Sequence, residues 1–208
     1  MCREGISDMK ILYLHGIGSG AESRTPTELR KIFTEVEILA PELPVRPKAI
    51  VELLKDKYWN DDEIDLVIGT SLGGFFALTF PAAKRILINP ALFADEDIEK
   101  GIGYGSQPFL CERSDGAKEY IIDDGYISEL KNIRDSIYKD WIDADKEHYI
   151  SNTYAIFGER DELLDHVDDF KALFDADKAT MISGEHRLSV EEIHTVLAPL
   201  IEQIMDKC

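Results

Sequence analysis

The amino-acid sequence predicts an α/β fold, a mostly parallel sheet flanked by helices on both faces and built as one domain. Three observations carry that expectation. Short apolar runs of strand length alternate with stretches of helical period through most of the chain, the pattern of consecutive βα units. The runs are largely apolar at successive positions, which suits strands covered by helices on both sides. The chain of 208 residues, 44% hydrophobic and 9% aromatic, is long enough for one sizeable core and short for two.

Taken in chain order, strands are expected at Lys10–Leu14, Val36–Leu39, Ile64–Ile68, Arg85–Asn89, Asn152–Phe157 and Lys178–Ile182. Helices are expected at about Pro26–Phe33, Lys48–Tyr58, Leu72–Phe80, His166–Phe174 and Val190–Met205. In the last of these, Ile193, Leu197, Leu200, Ile201 and Ile204 recur at the period of one buried face. Pro199 lacks an N–H and is expected to kink or split that helix, and Pro81 to end the third one. Residues 1–9 read as an N-terminal tail and residues 10–208 as a single domain, within which residues 93–150 separate two strand runs. That interval holds Gly101, Gly103 and Gly105, a run at Tyr120–Ile122 and a helical pattern over Ser128–Trp141. Its length suits a short cap or pocket-lining insertion. The glycines fit a substrate-contacting loop and plain coil equally, while Tyr104, Phe109 and Trp141 fit cap packing better than an acyl pocket.

Lysine and arginine number 23 against 41 aspartates and glutamates, a formal net charge of −18. An averaged field of that sign repels phosphate backbones and anionic lipid surfaces, so neither nucleic acid nor membrane is an expected partner. Cys2, Cys111 and Cys208 are odd in number and far apart, which suggests neither a disulfide framework nor a paired-cysteine metal site. The N-terminal MCREGISDMK has no apolar core of a secretory signal, and no apolar run approaches the length of a membrane span. A reducing, cytoplasmic setting is therefore expected. Acidic clusters at 61–65, 95–99 and 123–124 lack the spacing of a calcium loop, and no metal or organic cofactor is expected.

The strongest chemical signal is Ile64-Asp65-Leu66-Val67-Ile68-Gly69-Thr70-Ser71-Leu72-Gly73-Gly74, a strand, a Gly-x-Ser-x-Gly turn and a helix start. Such a nucleophile elbow places its serine on a strained strand-to-helix turn where flanking side chains would clash. The Leu72 amide is then a candidate oxyanion donor. A second strand-to-loop segment, Leu12-Tyr13-Leu14-His15-Gly16-Ile17, offers the Ile17 amide as the other donor, with His15 as a loop-stabilising residue. A serine hydroxyl needs a base and an orienting acid. Among His15, His148, His166, His186 and His194, His186 is preferred because it alone sits in a loop directly after the last strand run. For the acid, Asp161 follows the preceding strand at a turn, with Glu162 and Asp165 as competing choices. The resulting chain order of Ser71, Asp161 and His186 is that of α/β-hydrolases rather than of chymotrypsin or subtilisin types.

These segments resemble the α/β-hydrolase superfamily, and within it the small YqiA-type esterases. The resemblance rests on Leu12 to Gly16, Pro41-Glu42-Leu43-Pro44, Gly69 to Gly74, Ile88-Asn89-Pro90-Ala91, Gly158 to Asp165 and Gly184-Glu185-His186. It implies a serine carboxylesterase acting on small-molecule acyl esters, with acyl-CoA thioesters as a further class, and a triad of Ser71, Asp161 and His186. Two departures stand out: Glu159-Arg160-Asp161 where a shorter Gly-Asp-Glu is expected, and Glu185, a carboxylate beside the base that favours its protonated form. The overall negative charge ranks small or neutral esters above polyanionic CoA esters, unless a local basic patch receives the latter. A peptidase or amidase on the same triad, and a catalytically silent binding protein of the same fold, are the competing readings.

Overall fold

The computed structural model describes residues 9–59, 64–80, 84–143 and 145–205, the side chains of Asp140 and Trp141 excepted. Residues 1–8, Pro81, Cys2 and Cys208 lie outside the described residues. Six parallel strands form the central sheet: β1 (Lys10–Leu14), β2 (Glu37–Leu39), β3 (Ile64–Thr70), β4 (Lys84–Ile88), β7 (Thr153–Gly158) and β8 (Ala179–Ile182), in the order β2-β1-β3-β4-β7-β8. Successive strand residues feed two separate cores. Leu12, Leu14, Val67, Leu87, Ala155 and Phe157 face one side with α2 (Pro47–Lys57) and α3 (Leu72–Ala77). Ile11, Tyr13, Leu66, Ile68, Ile86, Ile88 and Ile156 face the other, against α1 (Arg24–Ile32) and the C-terminal helix. The two-residue alternation of a strand thus explains why the runs are apolar throughout: each parity has its own helical layer.

The C-terminal helical segment is continuous from Val190 to Met205, so it is not split at Pro199. Its turn Ile193–Leu197 is wider than an α-helix, with the Ala198 N–H bonded to the Ile193 carbonyl. That wide turn directly before Pro199 makes room for the ring and tolerates the missing donor. The third helix ends at Ala77 rather than Phe80, and its last turn tightens through Thr79 N–H to Phe76 O (3.0 Å) and Phe80 N–H to Ala77 O (3.2 Å). Residues 93–150 hold α4 (Ala94–Gly101), an antiparallel pair of β5 (Gly105–Pro108) and β6 (Glu119–Ile122), α5 (Asp124–Ser136) and most of α6 (Lys146–Asn152). Among the described residues no helix is long and apolar enough to cross a membrane.

Because β1 is followed by β2 on one side and β3 on the other, the chain reverses direction across the sheet between β1 and β3. In open α/β sheets the crevice at the carboxyl ends of such neighbours is where ligands bind. His15–Gly16 and Ser71 stand at those two ends.

Candidate active site

Ser71 leaves β3 with φ 54° and ψ −120°, a conformation that non-glycine residues rarely hold. The turn is possible only because its neighbours lack side chains. A Cβ on Gly69 would lie 2.2 Å from the Gly73 carbonyl oxygen, and one on Gly73 2.0 Å from the Leu14 carbonyl oxygen. The Ser71 N–H bonds to the Ile88 carbonyl (2.9 Å) and its own carbonyl accepts from Ala91 (3.2 Å), which fixes the elbow to the end of β4. The Ser71 hydroxyl bonds to no described residue and lines a cavity of about 520 Å³.

His186 lines the same cavity, and its Nδ1 lies 2.7 Å from Asp161 Oδ2. The Asp161 side chain is almost fully buried, at 2% exposure. Its other oxygen accepts from the Leu163 and Leu164 amides at 2.8 and 3.1 Å. Burial pushes the Asp161 carboxyl up, but the hydrogen bonds from His186 and the two amides outweigh it and hold the group below its ordinary value. Glu162 and Asp165, the competing acids, are exposed and make no bond to His186. Glu185 is also exposed; its carbonyl, not its carboxylate, is engaged. Of the remaining histidines, His148 bonds to Asn152 and His194 approaches Glu28 at 3.6 Å, both away from Ser71. His166 sits between Asp169 (2.8 Å) and Asp97 (2.9 Å).

His15 is buried, accepts from the Leu43 N–H at Nε2 (3.1 Å) and donates from Nδ1 to the Gly16 carbonyl (2.9 Å). Burial lowers its pKa, as that neutral bonding pattern requires. It therefore shapes the loop that brings Gly16 against Ser71, where a Cβ on Gly16 would meet the Ser71 Cβ at 3.2 Å. Ile17 and Leu72, the two candidate oxyanion donors, both line the cavity beside Ser71.

Asn89 holds a role that sequence reasoning missed. At φ 41° it turns the chain out of β4. Its amide donates to the Glu185 and His186 carbonyls (3.0 Å each), and its side-chain oxygen accepts from the Gly158 N–H (2.8 Å). One side chain thus ties the acid loop and the histidine loop to the strand beside the elbow. The signal available was an Asn-Pro pair at a strand end, which marks a turn but not its partners. Also unforeseen were the apolar residues at the cavity mouth: Leu163, Leu110 and Ile102 line it while exposed to 69%, 60% and 38%. Phe109 instead packs on Tyr120 (5.0 Å) and lines a separate small cleft behind the His15 loop. Tyr104 points its hydroxyl at Glu99, and the Trp141 side chain lies outside the described residues. Among the described residues no three His, Cys, Asp or Glu side chains cluster to hold a metal ion.

The sheet order, the elbow and the loops at the strand ends define the α/β-hydrolase fold, and solved structures agree. A monoacylglycerol lipase from Paleococcus ferrophilus matches over 96% of this chain and 95% of its own, at 9% identity and a TM-score of 0.62. Est1E from Butyrivibrio proteoclasticus matches over 96% and 90%, at 18% identity and a TM-score of 0.61. A soluble variant of monoglyceride lipase from Saccharomyces cerevisiae matches over 100% and 89%, at 12% identity and a TM-score of 0.61. Identities so low speak to the fold. Within it, the chain belongs to the Uncharacterised protein family (UPF0227), whose model matches residues 10–203. No curated protein matches the sequence.

Proposed function

We propose that this chain is a serine hydrolase that cleaves acyl esters through an acyl-enzyme intermediate. The observation that carries the reading is one cavity shared by a strained Ser71, whose hydroxyl bonds to no described residue, and a His186 whose far nitrogen is held by buried Asp161. His186 Nε2 takes the Ser71 proton as the hydroxyl oxygen attacks the acyl carbonyl. Asp161 keeps the imidazole proton on Nδ1 and stabilises the imidazolium. The Leu72 and Ile17 amides receive the oxyanion, each worth about 10²–10³ in turnover. The tetrahedral intermediate collapses with transfer of the His186 proton to the leaving alcohol. Water then attacks the acyl carbonyl as His186 takes its proton, and collapse breaks the bond to Ser71, releasing the acid as His186 returns that proton to the Ser71 oxygen.

Leu163, Leu110 and Ile102 at the mouth suit the apolar part of such an ester. The named esterases and lipases of like fold support the same chemistry. Thioesters present an equivalent carbonyl and form the second substrate class.

Labelling with a fluorophosphonate probe tests the reading. Covalent labelling is expected for the unchanged chain and its loss in Ser71→Ala and His186→Ala. An unlabelled native chain would point instead to a silent binding protein, and labelling that survives Ser71→Ala would move the nucleophile elsewhere. Faster turnover of a matched amide than of its ester would shift the class to an amidase.

A further inference from the structure

The protein carries a net charge of −18, yet the wall of its cavity does not share that sign. Asp97 is the one carboxylate among the cavity's described lining residues, and it faces His166 at 2.9 Å. The cations on that wall are Arg24 and Arg187. Four other arginines pair with carboxylates, Arg30 with Glu22, Arg46 with Asp123 and Glu129, Arg113 with Glu42 and Asp115, and Arg134 with Asp95 and Glu96, while Arg85 and Arg160 are held by carbonyls, Arg85 also by the Thr153 hydroxyl. Arg187 makes no hydrogen bond or ion pair with any described residue, although acidic residues outnumber basic ones by 41 to 23. Arg24 donates only to the Leu188 carbonyl (3.1 Å), which pins it to the segment that carries His186 and Arg187.

The wall between these arginines and Ser71 is rich in hydroxyls. The Tyr13 phenol bonds to Thr70 Oγ1 at 3.0 Å, next in sequence to the nucleophile, and Ser23 and Thr25 flank it. Ser23 Oγ is shut off from solvent and has no described partner at hydrogen-bond geometry. Arg187 lies near enough for its charge to act on both Tyr13 and Cys111. Two exposed guanidinium groups that line the cavity and pair with no described carboxylate, beside hydroxyl groups, form the donor set that binds an oxyanion such as carboxylate or phosphate.

Resting on the reading of Ser71 as nucleophile, we propose that the substrate is an ester bearing an oxyanion of its own, held by Arg187 and Arg24 on the Tyr13 side of the cavity while its apolar part lies against Leu163, Leu110 and Ile102. The local positive wall gathers such a substrate against the repulsive average field of the protein. Arg187 and Arg24 are substrate-positioning residues of this site and take no proton.

Turnover and binding together test this. p-Nitrophenyl hemiglutarate, with its carboxylate on the acyl side, is compared with neutral p-nitrophenyl valerate, and an acyl ester of glycerol phosphate places the anion on the leaving side. Arg187→Ala is expected to lower kcat/KM for the preferred anionic ester by about 10- to 100-fold, mainly through KM, with valerate turnover within about twofold. Arg187→Lys is expected to recover part of the loss. In parallel, calorimetry on the Ser71→Ala chain measures binding of glutarate and of glycerol phosphate, which is expected to weaken in Ser71→Ala/Arg187→Ala and at high salt. Whichever anion binds and turns over better identifies the side on which the charge sits. Equal losses on valerate and hemiglutarate, or anion binding that is absent or indifferent to Arg187, would overturn the proposal. Arginine-dependent binding in a chain that hydrolyses no ester would retain the anion site and remove the hydrolase reading.

Discussion

The carboxyl edge of the sheet and the 93–150 insertion border the same cavity, but they are held by different physics. At the sheet edge the backbone itself is close-packed. Side chains on Gly69, Gly73 or Gly158 would approach neighbouring backbone atoms to 2.0–2.6 Å. In the insertion, Gly101, Gly103, Gly105 and Gly116 have nothing within 4 Å of a would-be Cβ. The insertion is fastened by its side chains: Ile98, Ile122, Tyr126, Leu130, Ile137 and Tyr149 are buried in the same core as β1 and α3, and ion pairs add to that, Arg113 to Glu42, Arg46 to Glu129 and Asp123, and His166 to Asp97. Packed backbone leaves no room for a side chain at these turns, whereas side-chain contacts allow exchange of the residues that make a wall.

The largest effect is expected inside the edge, at the acid. Asp161→Asn keeps the side chain's size but presents the wrong partner to His186 Nδ1, and a loss of about 10⁴ in kcat is expected in ester turnover. Asp165→Asn, on an exposed residue of the same loop, is expected to stay within about twofold of the native rate. Loss of turnover in Asp165→Asn with retention in Asp161→Asn would exchange their roles.

A smaller but sharper contrast lies between two glycines. Gly73→Ala drives a methyl to 2.0 Å from the Leu14 carbonyl and is expected to cost about 3 kcal/mol or more, read as a lowered denaturant midpoint. Gly101→Ala meets no atom, sits in the last turn of α4 and is expected to stabilise by about 0.5–1 kcal/mol. Equal responses at the two sites would dissolve the distinction between edge and insertion.

The same contrast explains what was legible in the sequence. The strands were, because each parity of residue packs on its own helical layer and the runs are apolar throughout; β1 occupies Lys10–Leu14 as expected. Ser71, Asp161 and His186 were nameable because each directly follows a strand, where chain position nearly determines place in space. Asn89 was not, because its partners lie 69, 96 and 97 residues away and are reached only through a left-handed backbone. Arg24, Arg187 and Leu163 were hidden for a different reason: which way a loop or helix-end side chain points is decided by the path of the insertion over it, and no periodicity encodes that path.

A pH-dependent effect is expected at a charge that helps to tie the insertion down. His166, at the start of α7 (Val167–Leu173), reaches Asp97 of α4, whose neighbour Ile98 lines the cavity. Burial pulls its pKa down, but the hydrogen bonds and charges of Asp97 and Asp169 prevail and raise it above 6.5. A raised folded-state pKa contributes stability that is complete below the unfolded value and fades as pH climbs through the folded one. His166→Gln, which carries no charge at any pH, is therefore expected to be less stable than the native chain by about 1–2 kcal/mol at pH 6. For a chain of this length that is about 2–8 °C in Tm. The gap should narrow by pH 9, where the native imidazole has lost its proton and holds one carboxylate at most. Thermal unfolding of both chains at the two pH values reads this directly. A gap that is constant with pH would mean that His166 fastens the insertion by shape and packing against Phe93, their rings 5.3 Å apart, and that charge is not what holds α4 over the cavity.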